Sequence, residues 1–222
     1  MRVVVGLSLA VQIGIAVVAP AFPVGHAVGT LRGINVFGRV IRVLSFFTIQ
    51  SNILITIAAV TLARRPDCDG RLWRPLRAAG LFGITVTGIV YVTVLAKVHE
   101  PQGWAETSTN LVFHYLAPAG IVVGWLLFGP RPRISSGAWL SLLWPCARFA
   151  WTLAHGALTH WYPYPFVDVV THGYVVVLRN AAAVVAVLAA VAGIFAWGDR
   201  ALPSSPRPAA TVEQRVESPA AG

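Results

Sequence analysis

The sequence predicts an all-α polytopic membrane protein, a bundle of six transmembrane helices. Of the 222 residues, 56% are hydrophobic and 11% are charged, and the mean hydropathy is +0.70. Soluble domains are about 25% charged, so a soluble globule of this size could not bury so much apolar surface. Six apolar stretches also approach the ~20 residues that a bilayer requires: 3–22, 41–63, 76–98, 109–128, 138–155 and 174–197.

The first stretch has two interpretations. Met1 and Arg2, an apolar run and then Ala19, Pro20 and Ala21 resemble a secretory signal. The run is longer than a usual signal core, however, and Pro20 disfavours cleavage. We therefore favour a retained first helix.

The cationic residues give the orientation. With the N-terminus inside, eleven of the 17 lie on the inner side and four on the outer side, while Arg148 and Arg179 fall within predicted helices. This bias is typical of an inner-membrane protein whose N- and C-termini are both cytoplasmic. Nucleic-acid binding is not favoured, because no basic domain studded with aromatic residues is present.

The ends and loops complete the organisation. Residues 1–200 form the predicted transmembrane domain, and residues 201–222, rich in Pro, Ala and Ser, are expected to be a disordered cytoplasmic tail. Cys68 and Cys146 are expected at different depths, so no disulfide is predicted. The outer loop 155–172 carries aromatic residues that suit the membrane interface and two prolines that stiffen it.

Polar residues interrupt two of the predicted helices. Thr48, Gln50 and Asn52 lie in the second and His114 in the fourth, and polar groups within a membrane are usually functional. Thr48 is about 10 Å and His114 about 8 Å from the outer end of its stretch, at 1.5 Å per residue. Because both stretches enter from the same face, we expect the two side chains to share a depth.

Further polar residues are expected at this level. Arg179 lies about 8 Å below the outer end of the sixth stretch, and His155 ends the fifth. Asp168, the only acid of the last outer loop, is expected to reach down to this level as an anion. We predict an outward-opening polar pocket among helices 2, 4, 5 and 6. Arg179 is the predicted partner of an anionic group, and Gln50 and Asn52 are predicted to orient the site.

This pattern suits nucleophilic catalysis. A threonine hydroxyl becomes a nucleophile when a histidine within hydrogen-bond reach takes its proton. Arg179, Gln50 or Asn52 would then donate to the oxyanion of an attacked ester. The alternative is purely structural, since threonine often bonds the backbone carbonyl one turn back and a histidine can bridge two helices.

Three stretches carry a resemblance to a known family. They are Leu44-Ser45-Phe46-Phe47-Thr48, Asn110-x-x-x-His114 followed by Pro118, and Trp151-x-x-x-His155 leading to Tyr164-Pro165-Phe166-Val167-Asp168. In this order, over about 39–197, the chain resembles the androgen-induced-protein family of multipass membrane hydrolases and related bacterial membrane proteins.

The resemblance implies a chemistry. Animal members of the family hydrolyse fatty acid esters of hydroxy fatty acids with a threonine nucleophile and an essential histidine, which correspond here to Thr48 and His114. It implies a hydrolase of amphiphilic lipid esters, and the scheme of Thr48 and His114 requires no cofactor and no metal. The Gln-Ser-Asn sequence after Thr48 departs from the animal pattern, and this departure bears on the substrate.

Other functions stay open at this point. A metal-dependent hydrolase would use His155, His160, His172, His114 and Asp168, but these histidines show no i, i+4 pair. A bis-histidine haem protein would need histidines on facing helices. A non-catalytic transporter or lipid-binding scaffold is the main alternative. The sequence assigns no role to His155, His160, His172 or Asp168, and gives no oligomeric state.

Overall fold

The computed structural model describes residues 2–18, 34–65, 68–101, 103–128 and 138–202, and within these ranges the chain is helical with no strand. The predicted tail lies outside the described residues from position 203 onward. The described part contains eight α-helices, with bounds α1 Arg2–Val18, α2 Val36–Leu44, α3 Phe47–Arg64, α4 Trp73–Thr93, α5 Gly103–Leu111, α6 Ala117–Phe128, α7 Ala138–Thr159 and α8 Val169–Ala201.

The helices only partly match the predicted spans. Four helical segments of the described residues are long and apolar enough to cross a membrane: Phe47–Arg64, Trp73–Lys97, Gly103–Leu127 and Val169–Ala201. The first predicted span is the 17-residue α1, and the fifth is α7, which contains Pro145 and Arg148. The all-α prediction is therefore confirmed for the described residues, and four of their helical segments fit a membrane protein, whereas six spanning helices are not confirmed.

The second predicted span is two helices, so the expected start near Ile41 is wrong. Ser45 ends α2 and its hydroxyl donates to the Ile41 carbonyl at 2.8 Å, while Phe46 is extended, with φ −73° and ψ 128°. Local hydrogen bonding by serine competes with the helix ladder. As a result Thr48 lies in the first turn of α3 rather than seven residues into a helix.

The fourth predicted span also differs, because it begins at Gly103 rather than near residue 109 and contains a π-helical turn at Val112–Leu116. Pro118 follows this turn. It has no N–H to donate to the His114 carbonyl, so the regular α-helical hydrogen-bond pattern is interrupted here. The widened turn places the Ala117 N–H on the Val112 carbonyl. Such π-turns are frequent at functional sites, and this one carries His114.

Residues 160–168 connect α7 to α8 over one end of the bundle. The rings of Phe46 and Trp161 meet edge to face at 5.9 Å, and those of Phe46 and Tyr164 at 5.6 Å. Asp168 caps α8, and Gly173 interrupts this helix with φ 73°, a value that favours glycine. The connection is thereby fixed against the α2–α3 break.

Candidate active site

Thr48 and His114 meet at the end of the bundle where α3 begins. The Thr48 Oγ1 atom lies 3.3 Å from His114 Nε2. Thr48 is buried in the first turn of α3, and His114 projects from the π-helical turn after α5. The break before α3 and the widened turn therefore bring together the hydroxyl and the imidazole that the sequence singled out.

The second ring nitrogen of His114 fixes the direction of this hydrogen bond. His114 Nδ1 lies 3.2 Å from the Asn110 carbonyl oxygen, and because a carbonyl only accepts, Nδ1 carries the proton of the neutral ring. Nε2 then has a free lone pair, and the Thr48 hydroxyl donates to it. This is the tautomer that a general base requires.

Two further residues hold the His114 ring. Tyr91 of α4 stacks on it, with ring centroids 3.9 Å apart and planes 20° apart. The Asn110 amide donates to the Tyr91 hydroxyl at 2.7 Å. Asn110 thus orients the imidazole through its carbonyl and the stacked tyrosine through its side chain, a role that sequence reasoning missed although Asn110 stands one helical turn before His114.

Tyr164 brings a hydroxyl to the nucleophile. The Thr48 backbone N–H donates to Tyr164 Oη at 3.4 Å, so the phenolic proton points to another acceptor. Burial raises the pKa of Tyr164, and the phenol therefore stays protonated. The sequence places the aromatic residues of loop 155–172 only at the membrane interface, because no pattern places one tyrosine next to Thr48.

Two cavities meet at Thr48. One of about 120 Å³, called the polar cavity here, has a mixed lining in which His99, Glu106 and His114 stand among apolar side chains. The other, of about 310 Å³, is lined mainly by apolar side chains of α4, α7 and α8. Thr48, Leu95 and Tyr164 border both cavities. Thr48 therefore stands between the smaller, polar cavity and the larger, apolar cavity.

Gln50 and Asn52 bond the backbone rather than entering either cavity lining. Gln50 Nε2 donates to the Leu44 carbonyl at 2.8 Å, and Asn52 Nδ2 donates to the Thr48 carbonyl at 2.9 Å. Gln50 thus ties α3 to the end of α2, and Asn52 ties the turn that carries Thr48.

The other predicted site residues lie elsewhere. Arg179 is exposed on α8, because depth along a helix does not fix the face on which a side chain points. Asp168 does not reach into the pocket, since its carboxylate accepts from the Val170 N–H at 2.9 Å and the Thr171 hydroxyl at 2.7 Å. His155 packs against Trp151 and Trp161, with 5.7 Å between ring centroids in each case.

In the described ranges no three His, Cys, Asp or Glu side chains gather to hold a metal ion. His99 and Glu106 form a pair, with 3.7 Å between Nε2 and Oε1, but they stand at the polar cavity and not with the loop histidines. Comparison of the chain with protein-family models, curated proteins and solved structures found no match.

Proposed function

We propose that the protein is a membrane-embedded hydrolase of amphiphilic lipid esters, with Thr48 as nucleophile and His114 as general base. The single observation that carries the proposal is the 3.3 Å contact between Thr48 Oγ1 and His114 Nε2, in the tautomer set by Asn110. The resemblance to androgen-induced-protein hydrolases names the same two residues.

Acylation follows from this arrangement. His114 Nε2 takes the hydroxyl proton as Thr48 Oγ1 attacks the ester carbonyl, and a tetrahedral oxyanion forms. The Tyr164 hydroxyl, which accepts the Thr48 N–H at 3.4 Å and has its own proton available, is the donor assigned to that oxyanion. The imidazolium then gives its proton to the alcohol oxygen as the ester C–O bond breaks.

Deacylation needs water at the same place. The polar cavity beside His114 has a volume of about 120 Å³, which is room for several water molecules. His114 takes a proton from one of them as its oxygen attacks the acyl-threonine. Collapse of the intermediate returns the proton to Thr48 Oγ1 and releases a carboxylic acid.

The larger cavity supplies the substrate class. Its apolar lining suits a hydrocarbon chain that enters from the lipid, with the ester group at Thr48. No cofactor takes part. The distribution of cations supports an inner-membrane location with both termini cytoplasmic and the site in the outer half of the membrane.

A non-catalytic lipid-binding protein is the second candidate, and the same apolar cavity of about 310 Å³ favours it. A lipid chain would occupy this space whether or not Thr48 reacts. The two candidates differ in one property, the covalent reactivity of the Thr48 hydroxyl.

Labelling with a fluorophosphonate probe tests the proposal. Label on the intact protein should be lost in both Thr48→Ala and His114→Ala. Thr56→Ala is the matched control, because Thr56 lies on the same helix and its hydroxyl only bonds the Asn52 carbonyl, at 2.8 Å. Label that survives in either site variant, with the fold retained, would reject Thr48 as the nucleophile and leave the lipid-binding candidate.

A further inference from the structure

Arg148 brings a positive charge into the apolar cavity. One of its terminal nitrogens donates to the Ser45 carbonyl at 2.9 Å, while its Nε atom is buried without a hydrogen-bond partner. Neither of the ion pairs Arg74–Asp69 and His99–Glu106 includes Arg148, and within the described ranges no carboxylate pairs with it.

The contact with Ser45 explains only part of this arrangement. A cation at the last carbonyl of α2 interacts favourably with the negative end of the helix. A guanidinium has five N–H donors, however, and Nε of this half-buried side chain is enclosed without an acceptor. An anion supplied from outside the chain would accept from these remaining donors.

The position of Arg148 indicates where that anion would come from. Arg148 lines the same cavity as Thr48 and Tyr164, and the rest of the lining is mainly apolar. A molecule that fills this cavity therefore presents hydrocarbon to most of the wall and meets one cation close to the nucleophile. This combination matches an amphiphile that carries an acidic group.

We propose that Arg148 forms an anion-binding subsite for the carboxylate or phosphate of an amphiphile whose hydrocarbon chain occupies the apolar cavity. The proposal rests on the proposed function in so far as this amphiphile is the substrate or the acid product. Arg148, rather than the Arg179 expected from the sequence, is then the specificity-determining cation. Carboxylate and phosphate both accept the parallel N–H donors of an arginine.

Binding measured without turnover tests the subsite. Radiolabelled myristate and 1-tetradecanol, which differ in the head group, are bound to the full-length protein in a neutral detergent. We expect the acid to bind at least about tenfold more tightly than the alcohol, as for a charged hydrogen bond. Equal affinity for acid and alcohol would overturn the proposal and needs no variant.

Variants then assign the preference to one side chain. Arg148→Gln should reduce the preference for the acid about tenfold, whereas Arg179→Gln, the matched change at an exposed arginine, should leave it intact. A preference that persists in folded Arg148→Gln would also overturn the proposal. Competition by tetradecyl phosphate and by inorganic phosphate identifies whether the bound anion is a carboxylate, a lipid phosphate or a free ion.

The same measurements in a Thr48→Ala background separate the two proposals. Binding is then measured in a protein that cannot form an acyl-threonine. A loss of acid preference therefore contradicts the Arg148 subsite alone, and the test of hydrolysis at Thr48 stays separate. An acid preference that is intact in Thr48→Ala and is lost when Arg148→Gln is added would support Arg148 as a binding residue, whether or not Thr48 hydrolyses esters.

Discussion

The two ends of the bundle are built differently. The polar end, defined by the α2–α3 break, the π-helical turn of His114 and residues 160–168, contains the main backbone irregularities. The apolar half is regular, and its core is formed by buried side chains of α4 and α8: Ala78, Leu81, Phe82, Val86, Leu188, Val191, Ala192 and Phe195. Within the described residues the α2–α3 break and the π-helical turn thus lie where polar groups meet.

The difference teaches how a helical membrane protein accommodates broken helices. Backbone groups in lipid must find partners within the protein. At the α2–α3 break, Arg148 satisfies the Ser45 carbonyl and Tyr164 accepts from the Thr48 N–H. Arg148 and Tyr164, which hydrogen-bond the backbone groups at the break, also line the cavities. The break is therefore part of the proposed site.

The largest effect is expected at Tyr164. Tyr164→Phe removes the hydroxyl next to Thr48 and keeps the ring contact with Phe46. Loss of one oxyanion donor should lower kcat about a hundredfold, measured on a lipid ester such as a nitrophenyl acyl ester.

Tyr162→Phe is the matched control for this change. Tyr162 packs against Gly156 and is not part of either cavity lining, so its hydroxyl should be dispensable. Equal activity losses in the two variants would show that disturbance of residues 160–168, and not loss of the Tyr164 hydroxyl, lowers kcat.

A pair of glycines compares the two ends directly. A Cβ on Gly88 would lie 2.8 Å from Pro118 Cβ and 3.4 Å from the His114 carbonyl oxygen, and one on Gly198 would lie 2.5 Å from the Trp125 ring. Both alanine variants should lose about 1–3 kcal/mol of stability through overpacking, measured as thermal unfolding in detergent.

Only Gly88→Ala should also impair catalysis, by about tenfold or more, because small displacements of a catalytic group are costly. Activity per folded molecule decides the comparison. If Gly198→Ala lowers activity per folded molecule equally, the two ends are mechanically coupled and the polar end is not a separate functional region.

The sequence predicted the helical class and the pair Thr48 and His114, because hydropathy and isolated polar residues in apolar stretches are local signals. It missed the break at Ser45, the contribution of Tyr164 and the cation in the cavity. Those depend on which face each helix presents to its neighbours. Arg148 and Arg179 both stand in apolar stretches of the sequence, but Arg148 lines the larger cavity and Arg179 is exposed. A depth estimate cannot distinguish them.

Two adjacent residues of α8 test this point. The Asn180 amide donates to the Phe166 carbonyl at 2.9 Å, whereas Arg179 is exposed. Asn180→Ala should loosen the loop that carries Tyr164 and lower activity about threefold, the equivalent of one net hydrogen bond. Arg179→Ala should have no measurable effect, and a larger loss there than at Asn180 would restore the sequence-based role of Arg179.

The smallest effect is expected at Asp168, and it separates a helix cap from a catalytic anion. The carboxylate accepts from the N–H groups of Val170 and Thr171 at 2.9 and 3.3 Å. Asp168→Ala should cost about 1 kcal/mol of stability through loss of the cap, with activity per folded molecule changed by less than about twofold. Asp168→Asn should restore the stability, because asparagine caps helices as well as aspartate does. If Asp168 acts on the substrate as an anion, Asp168→Asn should lose as much activity per folded molecule as Asp168→Ala, because the amide is uncharged. Residues 160–168 would then contribute a charge to the site as well as a helix cap.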